Sequence, residues 1–130
     1  MERFKAYKLT ETPEKKIRAE FVDYTLDQLD PGDVVVRVAY SSVNYKDALA
    51  ATGKGKILRR PSCIGGIDLA GTVLSSTDSR FKKGDAVFTT SGEYVGVSHD
   101  GGYSQYARVR GDWIMKVPQG LSLWEAMAYG

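Results

Sequence analysis

Short apolar runs separated by Gly, Pro and Asp recur along this chain, and this pattern is typical of a mainly β fold. Residues 4–9 predict a first strand. Residues 17–22 alternate apolar with polar positions and predict a half-buried second strand, with Ile17, Ala19 and Phe21 on one side. The two strands are close enough in sequence to form a hairpin.

A turn and a central strand follow this hairpin. Asp30-Pro31-Gly32-Asp33 has the composition of a tight turn, because Pro presets φ and Gly accepts a positive φ. Residues 34–40 form the most clearly predicted strand. Residues 44–51 predict a short helix that ends at Thr52-Gly53. Further strands are predicted at residues 71–75, 86–90, 103–109 and 113–117.

The last nine residues predict the start of a helix. Ser122 and Glu125 have the spacing of a capping box. A free helix this short is marginal in water unless it packs on a surface. The pattern leaves two arrangements open: the helix awaits an external partner, or it folds back with Gly130 as its cap. The apolar side chains concerned are Trp124, Met127 and Ala128.

Composition is that of one ordinary folded domain. The chain has 130 residues, of which 42% are hydrophobic and 26% charged. Its 18 basic and 16 acidic residues are scattered and leave a net charge of +2, which argues against nucleic acid as a partner. No apolar stretch approaches the roughly 20 residues of a membrane span, so we expect a cytoplasmic protein without a membrane anchor.

One cysteine and one histidine limit the possible metal chemistry. Cys63 has no second cysteine for a disulfide, which favours a reducing compartment. Structural and catalytic zinc sites take three or four Cys, His or carboxylate ligands, and this chain offers only Cys63 and His99 besides carboxylates. We therefore expect no metal site.

Six segments in order carry a family resemblance across nearly the whole chain. They are residues 32–38 (GDVVVRV), 42–47 (SVNYKD), 65–73 (GGIDLAGTV), 83–87 (KGDAV), 101–107 (GGYSQYA) and 125–127 (EAM). In this order they resemble the catalytic domain of the medium-chain dehydrogenase/reductase superfamily, specifically its zinc-independent quinone oxidoreductase and acrylyl-CoA reductase branch of the YhdH/YhfP type.

The resemblance implies a fold and a division of the chain. Residues 1–121 should form a GroES-like, partly open β-barrel with short helices. Residues 122–130 should begin the helix that leads into a Rossmann nucleotide-binding domain. That domain is absent from this sequence, since no G-x-G-x-x-G turn opens a βαβ unit.

The resemblance also implies an activity. The complete enzyme should use NADPH to reduce quinones or activated double bonds, either α,β-unsaturated carbonyls or acrylyl thioesters, by hydride transfer. The Rossmann domain would hold most of the cofactor, so the fragment alone should be inactive, and the full-length protein is expected to be a homodimer. In zinc-dependent relatives a Cys and a His stand at the positions of Asn44 and Ile67, and residues 89–100 lack the cysteines of their structural zinc lobe.

Hydride transfer from a nicotinamide leaves the protein to polarise the substrate carbonyl and to supply a proton. Asn44 could bond the nicotinamide ribose or the substrate carbonyl, or simply cap the predicted helix. Tyr45 could donate to an oxyanion, end a proton relay or bind the cofactor as part of the wall of its cleft, or it could be plain core packing.

Two aspartates complete the candidate site. Asp47 would share a helix face with Asn44 and could orient Asn44 or Lys46, unless it is a surface charge in the first turn. Asp68 lies in a Gly-flanked apolar run, where a carboxylate is costly unless paired, and is the strongest candidate. A salt bridge from Asp68 to Arg37 or Lys46 is the competing interpretation.

The remaining reactive or charged residues have weaker functional support. A lone loop histidine such as His99 is typically an exposed bystander, and Cys63 has no evident base and is expected to be simply buried. A basic loop could meet the phosphates of coenzyme A or NADPH, or be solvated; it contains Lys54, Lys56, Arg59 and Arg60. A stand-alone GroES-like binding or co-chaperonin module is the alternative function.

Overall fold

The computed structural model describes residues 3–43, 45–52, 58–90 and 94–128, without the side chains of Tyr45 and Lys46. Within these residues the chain forms strands β1 (Phe4–Glu11), β2 (Ile17–Tyr24), β3 (Val34–Tyr40), β4 (Ser62–Ile64), β5 (Leu69–Ser76), β6 (Ala86–Thr89), β7 (Tyr106–Val109) and β8 (Met115–Lys116). It also forms helices α1 (Tyr45–Thr52) and α2 (Leu123–Ala128), and 3-10 turns at Leu26–Gln28 and Gly111–Trp113.

The strands make two antiparallel sheets. One has the order β2-β1-β4 and the other the order β7-β3-β5-β6-β8. The sheets meet where the Tyr7 N–H donates to the Tyr103 carbonyl at 2.7 Å and the Gln105 N–H donates to the Lys5 carbonyl at 3.1 Å. Each sheet keeps open edges, which agrees with the predicted mainly β, partly open architecture.

The core follows from the inward positions of the five-stranded sheet. The side chains at these positions form the main core cluster. Because burial of each Val or Leu side chain contributes about 1.5–3 kcal/mol, the main cluster is the largest source of stability. A smaller cluster lies under the three-stranded sheet and contains Phe4, Ala6, Leu29 and Ile64. The main cluster includes Val34, Val36, Leu69, Val73, Val87, Ala107 and Val109, all at most 1% exposed.

The hairpin and the central strand confirm the predictions, with one error. β3 has the predicted bounds, and β1 pairs with β2 along their whole length. The predicted inward position of Phe21 is wrong, because this side chain is 76% exposed. The alternation of β2 changes phase here: Val22 packs against the smaller cluster, whereas Phe21 contacts the Tyr7 ring with centroids 5.0 Å apart.

Three other strands differ from their predictions for local reasons. β7 begins at Tyr106 rather than at 103, because the preceding residues bond β1: the Tyr103 carbonyl accepts from Tyr7, and the Gln105 N–H donates to Lys5 while its carbonyl still accepts from Val38 of β3. β8 contains only Met115–Lys116, since the 3-10 turn at Gly111–Trp113 occupies the preceding residues. The three-residue strand β4 is absent from the predictions, because it lies between Pro61 and Gly65 and such flanking residues are typical of a loop.

Both predicted helices are present. The α2 capping box forms as expected: the Ser122 N–H donates to Glu125 Oε1 at 3.0 Å, and the Glu125 N–H donates to Ser122 Oγ at 3.1 Å. Met127 is 6% exposed because α2 packs on β3, β5 and β6, so of the two arrangements left open this side chain shows the fold-back one, whereas Trp124 is 63% exposed. That α2 leads into a further domain stays a prediction. No helix in the described part of the chain is long and apolar enough to span a bilayer.

Candidate functional site

Three segments meet at one end of the five-stranded sheet: the link from β3 to α1, the loop before β5, and the loop at residues 101–105. The Gly102 N–H donates to the Gly66 carbonyl at 2.8 Å, and the Tyr103 N–H donates to the Gly65 carbonyl at 2.9 Å. Gly66 has φ +96°, and an added Cβ would lie 2.6 Å from the Tyr103 nitrogen. Only glycine allows the loops to approach this closely.

Asp68 is a buried carboxylate at this meeting point. Its residue is 3% exposed, and its Oδ2 accepts a hydrogen bond from Ser42 Oγ at 2.8 Å. The Asp68 main-chain carbonyl accepts from Ser41 Oγ at 2.6 Å. The expectation of a buried, hydrogen-bonded carboxylate is confirmed, while its part in the chemistry stays a prediction.

Asp47 is the second buried carboxylate. It is 4% exposed, and its Oδ1 accepts from the Ile67 N–H at 2.9 Å. The alternative that Asp47 is a surface charge is therefore wrong. Because Ile67 precedes Asp68 directly, Asp47 ties α1 to the loop that carries the other carboxylate.

Tyr103 joins these two carboxylates and was not predicted as a site residue. Its hydroxyl donates to the Ser42 carbonyl at 3.0 Å. Burial, followed by the negative charge of Asp47, raises the pKa of Tyr103 above its usual range, so the phenol stays a donor. In the sequence Tyr103 was assigned to a strand, and its role becomes visible only when the loops are known to meet.

The other two predicted site residues lie next to this cluster in the chain. Asn44 is outside the described residues, as is the side chain of Tyr45, the first residue of α1. Their neighbours Ser42 and Asp47 both belong to the cluster. The structure thus brings Asp47 and Asp68 together, whereas the roles of Asn44 and Tyr45 stay predictions.

A groove of about 600 Å³ opens beside the cluster. Its walls include the rings of Tyr7, Phe21, Tyr40 and Tyr103. Tyr103 therefore belongs both to the groove and to the hydrogen-bonded cluster.

His99 and Arg60 have structural contacts that the sequence did not reveal. The expectation of an exposed His99 is wrong: the residue is 9% exposed, its Nε2 lies 2.7 Å from the Arg108 carbonyl oxygen, and its ring packs edge-on against Trp113. Arg60 is not a free cation that awaits a phosphate: its side chain is 29% exposed and forms ion pairs with Asp30 at 2.6 Å and Asp100 at 2.8 Å. Lys54 and Lys56 lie outside the described residues, and Arg59 is exposed.

Cys63 is buried, as expected. It is 1% exposed, and its Sγ donates to the His99 carbonyl at 3.1 Å. Burial raises the pKa of the thiol to about 12, with a further contribution from Asp100 that Arg60 opposes. A thiol with this pKa is not a nucleophile near neutral pH.

The raised pKa of Cys63 predicts slow alkylation of the folded protein and a pH-dependent stability. Iodoacetamide at pH 8 should modify Cys63 only after denaturant is added, as checked by intact mass.

The thiol has a pKa of about 8.5 when unfolded, so its contribution to stability is complete below that pH and is lost as the pH rises towards about 12. Cys63→Ala should therefore lose less stability than wild type between pH 8 and 10; an equal loss would contradict the prediction.

Comparison with known proteins identifies the class of domain. The family model described as "Alcohol dehydrogenase GroES-like domain" matches residues 30–119. The chain belongs to this family, whose domain forms the N-terminal part of the medium-chain dehydrogenase/reductases.

Individual relatives narrow the resemblance. The chain is 47% identical over 115 residues to acrylyl-CoA reductase AcuI of Ruegeria pomeroyi, covering 88% of this chain and 34% of AcuI. The solved structure of the yhdH oxidoreductase from Salmonella enterica in complex with NADP is 48% identical, with a TM-score of 0.91, over 97% of this chain and 38% of that one. Bacillus subtilis yhfP with NAD bound is 45% identical, with a TM-score of 0.93, over 100% and 39%.

The chain is much shorter than these relatives. It spans 31% to 34% of the length of three curated relatives, namely YhfP of Bacillus subtilis and the AcuI proteins of Escherichia coli and Ruegeria pomeroyi. About two thirds of the length of each of these relatives has no counterpart in these 130 residues.

Proposed function

We propose that this chain is the catalytic domain of a longer NADPH-dependent oxidoreductase that reduces quinones or activated double bonds. The observation that supports this most strongly is the pair of buried carboxylates, Asp47 on α1 and Asp68 just before β5, in a chain so similar to AcuI and yhdH. Burying two carboxylates near one another is costly, and such clusters are typical of functional sites.

The carboxylates and hydroxyls of this cluster suit the nicotinamide end of the cofactor better than its phosphates. Carboxylates repel a phosphate, whereas carboxylates and hydroxyls can hydrogen-bond a ribose or a carbonyl group. When bound, the nicotinamide would supply the hydride. Most of the NADPH contacts would come from a Rossmann domain further along the chain.

The chain's own residues would supply the remaining chemistry. The Asn44 amide would bond the nicotinamide ribose or the substrate carbonyl, and the Tyr45 phenol would donate to the developing oxyanion. Asp68 would transfer a proton to the α-carbon of the substrate. Asp47 would hold α1, and with it Asn44, against the loop that carries Asp68. We expect a metal-free reaction, since Ile67 is aliphatic and 5% exposed and cannot act as a ligand.

The full reading frame of the gene provides the test. We expect it to continue beyond Gly130 into a strand and a Gly-rich turn, and the full-length protein to be a cytoplasmic homodimer. After exhaustive chelation this protein should oxidise NADPH when given acrylyl-CoA or a quinone, while residues 1–130 alone should not. Activity that is lost on chelation and restored by zinc would contradict the metal-free reaction, and an inactive full-length protein would contradict the function itself.

A further inference from the structure

Ser42 is bonded at both its side chain and its main chain within the carboxylate cluster. Its Oγ donates to Asp68 Oδ2 at 2.8 Å, and its carbonyl accepts from the Tyr103 hydroxyl at 3.0 Å. Because Asp68 is only 3% exposed, its carboxylate depends on protein donors rather than on water. Ser42 is half-buried, so it is the more exposed member of the pair.

Tyr103 is itself fixed relative to Asp68. Its N–H is bonded to the Gly65 carbonyl, and Gly102 before it is bonded to the Gly66 carbonyl. Its phenol remains a donor at neutral pH, because burial and the nearby Asp47 disfavour the phenolate. The hydroxyl therefore anchors the Ser42 main chain to the loop that carries Asp68.

We propose that Ser42 is a positioning residue for Asp68: its hydroxyl fixes the orientation of the Asp68 carboxylate, while Tyr103 holds the Ser42 main chain at that distance. The inference rests on the function proposed above. Ser42 acts through Asp68 and needs no contact with the substrate.

A serine pair in the chain separates this role from a general loss of hydroxyl groups. Ser41 also donates a hydrogen bond to Asp68, but to its main-chain carbonyl and not to its carboxylate. Ser41→Ala and Ser42→Ala therefore remove equivalent groups from adjacent residues. Ser42→Thr keeps the hydroxyl.

The experiment measures NADPH oxidation by the full-length protein with acrylyl-CoA. Loss of a hydrogen bond to a charged group should lower kcat about 10-fold in Ser42→Ala, with KM changed less than about twofold. Ser42→Thr should recover kcat to within about threefold of wild type. The loss of kcat in Ser41→Ala should be at least about threefold smaller than the loss in Ser42→Ala. In an Asp68→Asn background, Ser42→Ala should cause little further loss, because the two residues act as a unit.

The opposite results identify which claim fails. Ser42→Ala with wild-type kcat, a change confined to KM, or losses that simply multiply with those of Asp68→Asn would overturn the role of Ser42. If Ser42→Ala does not fold, as checked by thermal unfolding, the kcat values of Ser42→Thr and Ser42→Cys decide the question. A poor kcat in well-folded Ser42→Thr also overturns the role of Ser42. A wild-type protein that does not oxidise NADPH contradicts the proposed function, and with it this inference.

Discussion

Asp68→Asn should lower kcat of the full-length protein about 100-fold, which is the lower range for loss of a group that transfers a proton. Asparagine has nearly the same shape and its Oδ1 can still accept from Ser42, so the hydrogen bond and the packing survive. The variant removes the ability to ionise and replaces one acceptor oxygen by an NH2 donor, and thermal unfolding measures any structural cost of that replacement. A large kinetic effect in a well-folded variant would therefore report chemistry rather than structure.

Steady-state kinetics with NADPH and acrylyl-CoA, together with thermal unfolding of each variant, check this expectation. Asp27→Asn is the matched control, because Asp27 is an exposed aspartate in the 3-10 turn at Leu26–Gln28. It should leave kcat unchanged. If Asp68→Asn kept kcat within about twofold of wild type, the carboxylate would have only a structural role.

Arg60→Met should destabilise the folded chain by about 2–4 kcal/mol, which is the cost of leaving the buried Asp100 and the half-buried Asp30 without their cation. Arg60 bridges Asp30 and Asp100, and the Asp100 side chain is only 4% exposed. Asp100 Oδ1 also accepts from the Ile64 N–H at 2.9 Å, so the network fixes β4. Methionine keeps much of the volume of the arginine stem and removes the charge.

Arg80→Met provides the control for this prediction. Arg80 also bridges two aspartates, Asp78 and Asp112. The Asp78 side chain is 11% exposed, but the cation itself is 56% exposed and the Asp112 side chain is 63% exposed. Exposed ion pairs contribute little, so this variant should be clearly more stable than Arg60→Met. Urea denaturation of both variants measures the difference. Equal destabilisation would show that burial of the Arg60 network is not what matters.

The strands were predictable where one period dominates locally. Residues 34–40 form β3 with the predicted bounds because the turn before them and their apolar run agree. Phe21 was misplaced because a change of phase within β2 cannot be seen in the alternation alone. The irregular start of β7 depends on pairing with β1, which is nearly 100 residues earlier in the chain.

The carboxylates of the site were predictable, but their partners were not. Asp68 could be singled out because it interrupts an apolar, Gly-flanked run. Its link to Ser42, the link from Asp47 to Ile67 and the position of Tyr103 all require three distant loops to meet. The buried network of Arg60 was missed for the same reason, since its aspartates are 30 and 40 residues away in sequence.

The most direct test of the account is a crystal structure of the full-length protein with NADP⁺ and an unreactive acceptor analogue. We expect the nicotinamide ring to lie against the segment from Ser41 to Asp47, and Asp68 to reach the acceptor's α-carbon directly or through one bridging group. A nicotinamide bound on another face of the domain, with Asp47 and Asp68 remote from the acceptor, would contradict it.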